Sequence, residues 1–100
     1  MKILLLRAAQ AELDDAADDY AEHASPRIAG AFLDDFHHAR QRLAEHPEIG
    51  VRVSDRLRML RLRRFPYSVI YRFSGEAITI HAIAHQRRRP GDWRAATDKA

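Results

Sequence analysis

The chain has 100 residues, 46% hydrophobic and 31% charged, with no Cys. That composition gives one globular domain with a single core, and it excludes a disulfide scaffold, a thiolate metal site, a Cys nucleophile and a thiol redox centre. The net charge of +3 conceals a division, because residues 1–50 hold five Lys/Arg against ten Asp/Glu, whereas residues 51–100 hold twelve against four.

The apolar run Ile3-Leu4-Leu5-Leu6, bounded by Lys2 and Arg7, predicts a buried strand over residues 2–6. It is too short for a signal-peptide core, and no run approaches the roughly 18–20 residues that span a bilayer. We therefore expect a cytoplasmic protein with no membrane partner. From Ala8 to Ala24 the apolar positions Ala9, Leu13, Ala16, Ala17 and Tyr20 recur at helical steps, and Glu12, Asp14, Asp15, Asp18, Asp19 and Glu22 fill the rest. The pattern is an amphipathic helix over 8–23 with an acidic outer face. Ser25-Pro26 then supplies an N-cap and a proline at the first helical position. A second helix over 26–46 follows, with Ala29, Phe32, Leu33, Phe36, Ala39 and Leu43 on one face. His46-Pro47 stops it, because the residue before proline is driven out of the helical region.

Pro47 to Asp55 reads as a loop. Beyond it the period falls to two. Residues 57–64, 67–73 and 77–85 are predicted strands, separated by Pro66 and by the tight-turn pair Ser74-Gly75. The last of them is apolar on both faces, as a central, covered strand is. The order β-α-α-β-β-β predicts an α+β two-layer sandwich, with a helix hairpin packed on an antiparallel sheet and much of the arginine on the other sheet face. Leu13, Tyr20, Phe32 and Phe36 are the predicted core between the layers. A basic tail begins near residue 86, within the same single domain of residues 1–100.

The six His residues do not make a metal site. His37 and His38 diverge by roughly 100° on a helix. His81 and His85 lie about 13 Å apart along a strand, too far to share one ion. Walker A, GxGxxG and HExxH patterns are absent, and no Ser stands in a nucleophile-elbow context. No cofactor is implied. The arginines carry the stronger signal. Arg58, Arg61, Arg63, Arg64, Arg72, Arg87, Arg88, Arg89 and Arg94 lie on or beside the predicted sheet, a positive surface suited to phosphate backbones or to an acidic protein segment. Tyr67, Tyr71 and Trp93 are either stacking groups or core residues; Tyr71 reads better as core.

The run His85-Gln86-Arg87-Arg88-Arg89-Pro90 makes the chain recognisable. It resembles the RelE/ParE superfamily of type II toxin–antitoxin toxins, the ParE branch most closely. The residues that carry the resemblance are Arg64-Phe65-Pro66-Tyr67, Ile70-Tyr71-Arg72, Ile80, Ile83-Ala84-His85 and Arg88-x-Pro90-x-x-Trp93. Ala11-Glu12-Leu13, Tyr20, Phe32, Leu43 and His46-Pro47 fit in the first half. The resemblance covers residues 1 to about 94 and implies the same β-α-α-β-β-β order.

It also implies a toxin held harmless by a cognate antitoxin in a hetero-oligomer, which meets operator DNA only through that antitoxin. RelE-like members cleave messenger RNA on the ribosome with a basic residue before the third strand's hydrophobic run and a Tyr or His near the C-terminus. Here Ser68 takes the first position and Asp92 precedes Trp93, leaving His85 or His81 as proton shuttles, with Arg87 and Arg88 beside His85. ParE-like members lack that set and are implied to poison DNA gyrase. The resemblance thus favours a gyrase inhibitor, with a ribonuclease or a non-toxic antitoxin-binding homologue as the alternatives. The expected toxic surface is His85, Arg87, Arg88, Arg89 and Trp93. The expected antitoxin contacts are Arg61, Arg63, Arg64 and Tyr67.

Overall fold

The Leu6 amide donates to Ile80 O at 3.0 Å, and Leu6 O accepts from Gln10 N–H at 3.0 Å. One residue therefore closes the first strand onto the sheet and opens the first helix. In this computed structural model, which describes residues 1–87, the elements in chain order are β1 (Lys2–Leu5), α1 (Arg7–His23), α2 (Pro26–Glu45), β2 (Val51–Arg52), β3 (Arg58–Arg61), β4 (Tyr67–Ser74) and β5 (Ala77–His85).

Both helices form where the periodicity places them. Ala24 and Ser25 are the whole link between them, and both their amides donate to Tyr20 O at 2.9 Å. Ser25 caps α2 by accepting from Ile28 N–H through Oγ at 3.1 Å, with Pro26 just inside the helix. So short a link folds the helices back on each other as a hairpin. Helix α1 buries Ala9, Leu13 and Ala16, and α2 buries Ala29, Phe32, Asp35, Phe36, Ala39 and Leu43. Phe32 and Phe36 are buried as predicted, and Tyr20 is half-buried against the same core.

The sheet order is β1-β5-β4-β3-β2, with β5 in the interior as its two apolar faces require. The β2–β3, β3–β4 and β4–β5 pairs are antiparallel, and β1 pairs parallel with β5. The sheet is thus mixed at that edge, because β1 reaches it only through the helical crossover. Leu60, Val69, Tyr71, Ile78, Ile80 and Ile83 face the helices. Leu57, Ile70, Ala82 and Ala84 form a smaller cluster with Val53 and Met59 on the other face. A register shift at Ile70/Tyr71 keeps both sets in phase. Gly75 turns β4 into β5 with φ 63°, the one positive φ among the described residues.

Three segments differ from the sequence reading. Strand β1, read as buried, lies at the sheet edge with Lys2 and Leu4 exposed. Residues 51–52, read as loop, form β2 against Arg58 and Met59. The strand predicted over 57–64 is only Arg58–Arg61. The Leu62 amide donates to Tyr67 O at 2.9 Å, closing a hairpin loop, and the next three amides turn away to a side chain of α2 described below.

Candidate functional site

The described residues of the predicted site, Arg61, Arg63, Arg64, Tyr67, His85 and Arg87, gather at one end of the sheet, where β4 begins and β5 ends. In register, Tyr67 stands opposite His85, and Ser68 lies between Arg61 on β3 and Ala84 on β5. An aromatic cluster holds this end to the helices. Tyr20 of α1 and Phe32 of α2 have ring centroids 5.3 Å apart, and Phe65 and Tyr67 lie 5.6 and 5.2 Å from Phe32. The His85 ring meets Tyr67 edge-on at 5.0 Å. Such aromatic contacts are each worth about 0.5–1.5 kcal/mol beyond the area they bury, and they tie the start of β4 to both helices.

Asp35 orders the basic loop. Its carboxylate is 3% exposed and accepts three successive backbone N–H groups, from Arg63 at 3.3 Å, Arg64 at 2.8 Å and Phe65 at 3.0 Å. A buried charge needs such compensation. The three amides meet it only if the chain leaves the strand after Arg61, which is why β3 is short. The exposed Arg63 and Arg64 side chains therefore stand on a loop fixed from below. Arg61 is exposed as well, but it shares the outer sheet face with Ser68, whereas Tyr67 faces the helices. The four predicted antitoxin contacts are thus divided between a loop and two sheet faces.

His85 is half-buried, and its Nδ1 accepts the backbone N–H of Arg87 at 3.1 Å. That bond places any proton of the neutral ring on Nε2. Gln86 N–H donates to Pro66 O at 2.9 Å, so the segment after β5 is tied to the 63–66 loop. Arg87 is exposed. Arg88, Arg89 and Trp93 lie outside the described residues. Burial raises the phenol pKa of Tyr67 above 10.0, with smaller upward contributions from Tyr20 and Asp19. Neither Tyr67 nor Tyr20, which burial also raises, is poised for proton transfer near neutral pH.

Glu12 has a similar part to Asp35. Strand β1 pairs β5 only as far as Ile80, and beyond it the Ile83 amide donates to Glu12 Oε1 at 3.1 Å. The acidic face of α1 is therefore not wholly solvated, although Asp14, Asp15, Asp18, Asp19 and Glu22 are exposed. Asp35 and Glu12 were both missed as special in the sequence, yet each interrupts an apolar stripe. Asp35 lies three residues from Phe32 and four from Ala39, and Glu12 lies three from Ala9 and four from Ala16. Ligand atoms of Asp19, Glu22 and His23 come within 4.8 Å of one another, all on exposed side chains; this is the acidic surface of α1 and carries no metal assignment.

At the opposite end, Tyr71 is buried, as core. Its Oη accepts Gly50 N–H at 2.9 Å and donates to Pro47 O at 2.8 Å. Arg58 Nη1 donates to Glu48 O and Gly50 O, both at 3.0 Å. This pair staples the 47–50 loop to the sheet. Gly50 is obligatory there, because a Cβ would lie 2.7 Å from both Cε1 and Oη of Tyr71. Burial raises the Tyr71 pKa above 10.0, offset in part by the Gly50 amide and the Arg58 charge.

This architecture is shared with known proteins. The solved structure titled "Chromosomal ParDE TA system from P. aeruginosa" superposes with a TM-score of 0.74 at 27% identity, covering 85% of this chain and 95% of that one. No curated protein matches the sequence. Residues 3–90 match the family described as ParE toxin of type II toxin-antitoxin system, parDE. With so much of the sequence matched, and the β1-α1-α2 hairpin and meander in place, the chain belongs to the ParE toxin family of type II toxin–antitoxin systems.

Proposed function

We propose that this toxin inhibits bacterial growth by binding DNA gyrase through the sheet end at His85 and Arg87 and the residues that follow, Arg88, Arg89 and Trp93. A cognate antitoxin neutralises it by covering the basic 61–67 segment, where Arg61, Arg63 and Arg64 pair with acidic groups and Tyr67 supplies apolar contact. The toxin then works in the cytoplasm, in a hetero-oligomer with its antitoxin, and meets operator DNA only through that partner.

One observation favours binding over RNA cleavage. Ser68, at the position where the ribonuclease branch has a basic residue, is 3% exposed. A buried, uncharged hydroxyl can neither reach a scissile phosphate nor offset its transition-state charge. The raised Tyr67 and Tyr20 pKa values point the same way. The likeness to a ParDE system supports an antitoxin partner.

Purified gyrase tests this reading. The toxin inhibits supercoiling or traps cleaved DNA, and the combined Arg87→Ala, Arg88→Ala and Arg89→Ala variant loses that effect. Arg87 is exposed, where a substitution alters folding stability by about 0.5 kcal/mol or less, and antitoxin binding should persist in the triple variant. Cleavage of ribosome-bound messenger RNA with gyrase unaffected would replace the proposal with the ribonuclease reading. Inactivity in both assays would leave an antitoxin-binding module without toxicity.

A further inference from the structure

A second basic constellation lies at the far end of the sheet from His85, outside the surfaces discussed so far. There β2 ends, β3 begins and β4 ends, and the structure forms a pocket of about 250 Å³. Arg52, Arg56, Arg58 and Arg72 line it, together with Glu48 and Asp55. Four guanidinium groups against two carboxylates leave a formal excess of two positive charges.

Arg52 and Arg58 are directly opposite each other in the β2–β3 register. Like charges in that relation destabilise a strand pair unless something neutralises them. Arg58 is half-buried, and its Nη1 is already committed to two carbonyls of the 47–50 loop. Its guanidinium is therefore held in place before any ligand arrives, which removes most of the entropy cost of recruiting a long side chain. Arg52, Arg56 and Arg72 are exposed and free to close on a ligand from separate segments.

We propose that this pocket is a phosphate-binding site. The number and origin of the arginines decide between anions. A planar carboxylate is satisfied by one or two forked guanidinium groups in its own plane. A tetrahedral phosphate presents oxygens in several directions, and it matches donors that come from β2, the loop after it, β3 and β4. An excess of two positive charges also suits a phosphate better than a single carboxylate. The phosphate belongs to a free nucleotide or to a polynucleotide backbone. The proposal does not depend on gyrase being the target.

The test uses the full chain, with thermal unfolding and Arg side-chain NMR signals as readouts. Inorganic phosphate raises Tm saturably beyond sodium chloride of equal ionic strength, and at ten times its Kd the folding constant rises about elevenfold. The signals of Arg58 and Arg72 shift with the same Kd. Arg56→Ala and Arg72→Ala, both exposed positions, weaken phosphate by about tenfold or more. They leave Tm without phosphate unchanged or raised, because a like charge is removed. Arg27→Ala, on the exposed surface of α2, keeps the full response.

ATP and a short thymidine oligonucleotide distinguish the sources. Whichever binds more tightly than inorganic phosphate, with the same dependence on Arg56 and Arg72, is the physiological carrier. A Tm rise no greater than that from chloride overturns the proposal. So does an unaltered phosphate response in Arg56→Ala and Arg72→Ala, or occupation of the pocket by hexaglutamate but not by phosphate.

Discussion

Replacing Asp35 by Ala removes one side chain and leaves three backbone donors behind. The wild-type carboxylate makes two short bonds, at 2.8 and 3.0 Å, and a longer one at 3.3 Å. A hydrogen bond to a charged group contributes about 1.5–3 kcal/mol net. Because the 63–65 loop is at the surface, water recovers part of the loss, and the better helix propensity of Ala returns about 0.5 kcal/mol. The expected destabilisation is about 2–4 kcal/mol, a large share of the roughly 5–15 kcal/mol that holds such domains folded. In a chain this small it lowers Tm by roughly 10–25 °C. Asp35→Asn, with its carbonyl oxygen in the place of Oδ2, keeps the bonds to Arg64 and Phe65 and loses the longer one to Arg63 together with the charge, so it should recover much of the loss. Urea unfolding with amide exchange at Arg63, Arg64 and Phe65 measures both parts. Those three amides should lose protection more than the β4 and β5 amides do, and antitoxin affinity should fall with them because Arg63 and Arg64 lose their platform. A loss below about 0.5 kcal/mol, with unchanged exchange at 63–65, would refute the account of Asp35 as the organiser of this loop.

Gly50→Ala drives a methyl group into Tyr71 and costs about 1–3 kcal/mol, whereas Tyr71→Phe removes only the Oη half of that clash, leaving Cε1 in place, and orphans the Gly50 amide; the double variant should therefore be somewhat less damaged than the two single losses added, as a thermodynamic cycle would show. Charge reversal of Arg61 and Arg63 together should weaken antitoxin binding most at low salt, and unchanged affinity there would mean that these arginines are merely solvated. Burial raises the pKa of Tyr20, Tyr67 and Tyr71 above 10.0. The folded chain then holds these protons more tightly than the unfolded one, so the stability they contribute is present below pH 10 and is lost as pH rises through the folded values. Phenolate absorbance should accordingly appear later in the folded protein than in urea.

The sequence determined the helices almost to the residue, because apolar spacing, the Ser25-Pro26 start and the His46-Pro47 stop are local signals. It also determined the interior place of β5, whose two apolar faces leave no solvent side, and the family, through the Arg64-Phe65-Pro66-Tyr67 and His85 elements. What it did not determine depends on partners far along the chain. Asp35 bonds amides about 28–30 residues away, and Glu12 one 71 residues away, and neither shows in a local period except as a carboxylate misplaced on an apolar stripe. Strand β2 is two residues long, too short for any alternation to be read, and exists only because β3 offers an edge. The basic residues of the second half read as one positive region. Only the tertiary structure divided the described ones among a loop held by Asp35, an outer-face Arg61, an Arg58 committed to the 47–50 loop, the Arg87 beside His85 and a pocket at the other end of the sheet. Composition fixes how much charge a chain carries, but strand register and side-chain capping decide which charges meet.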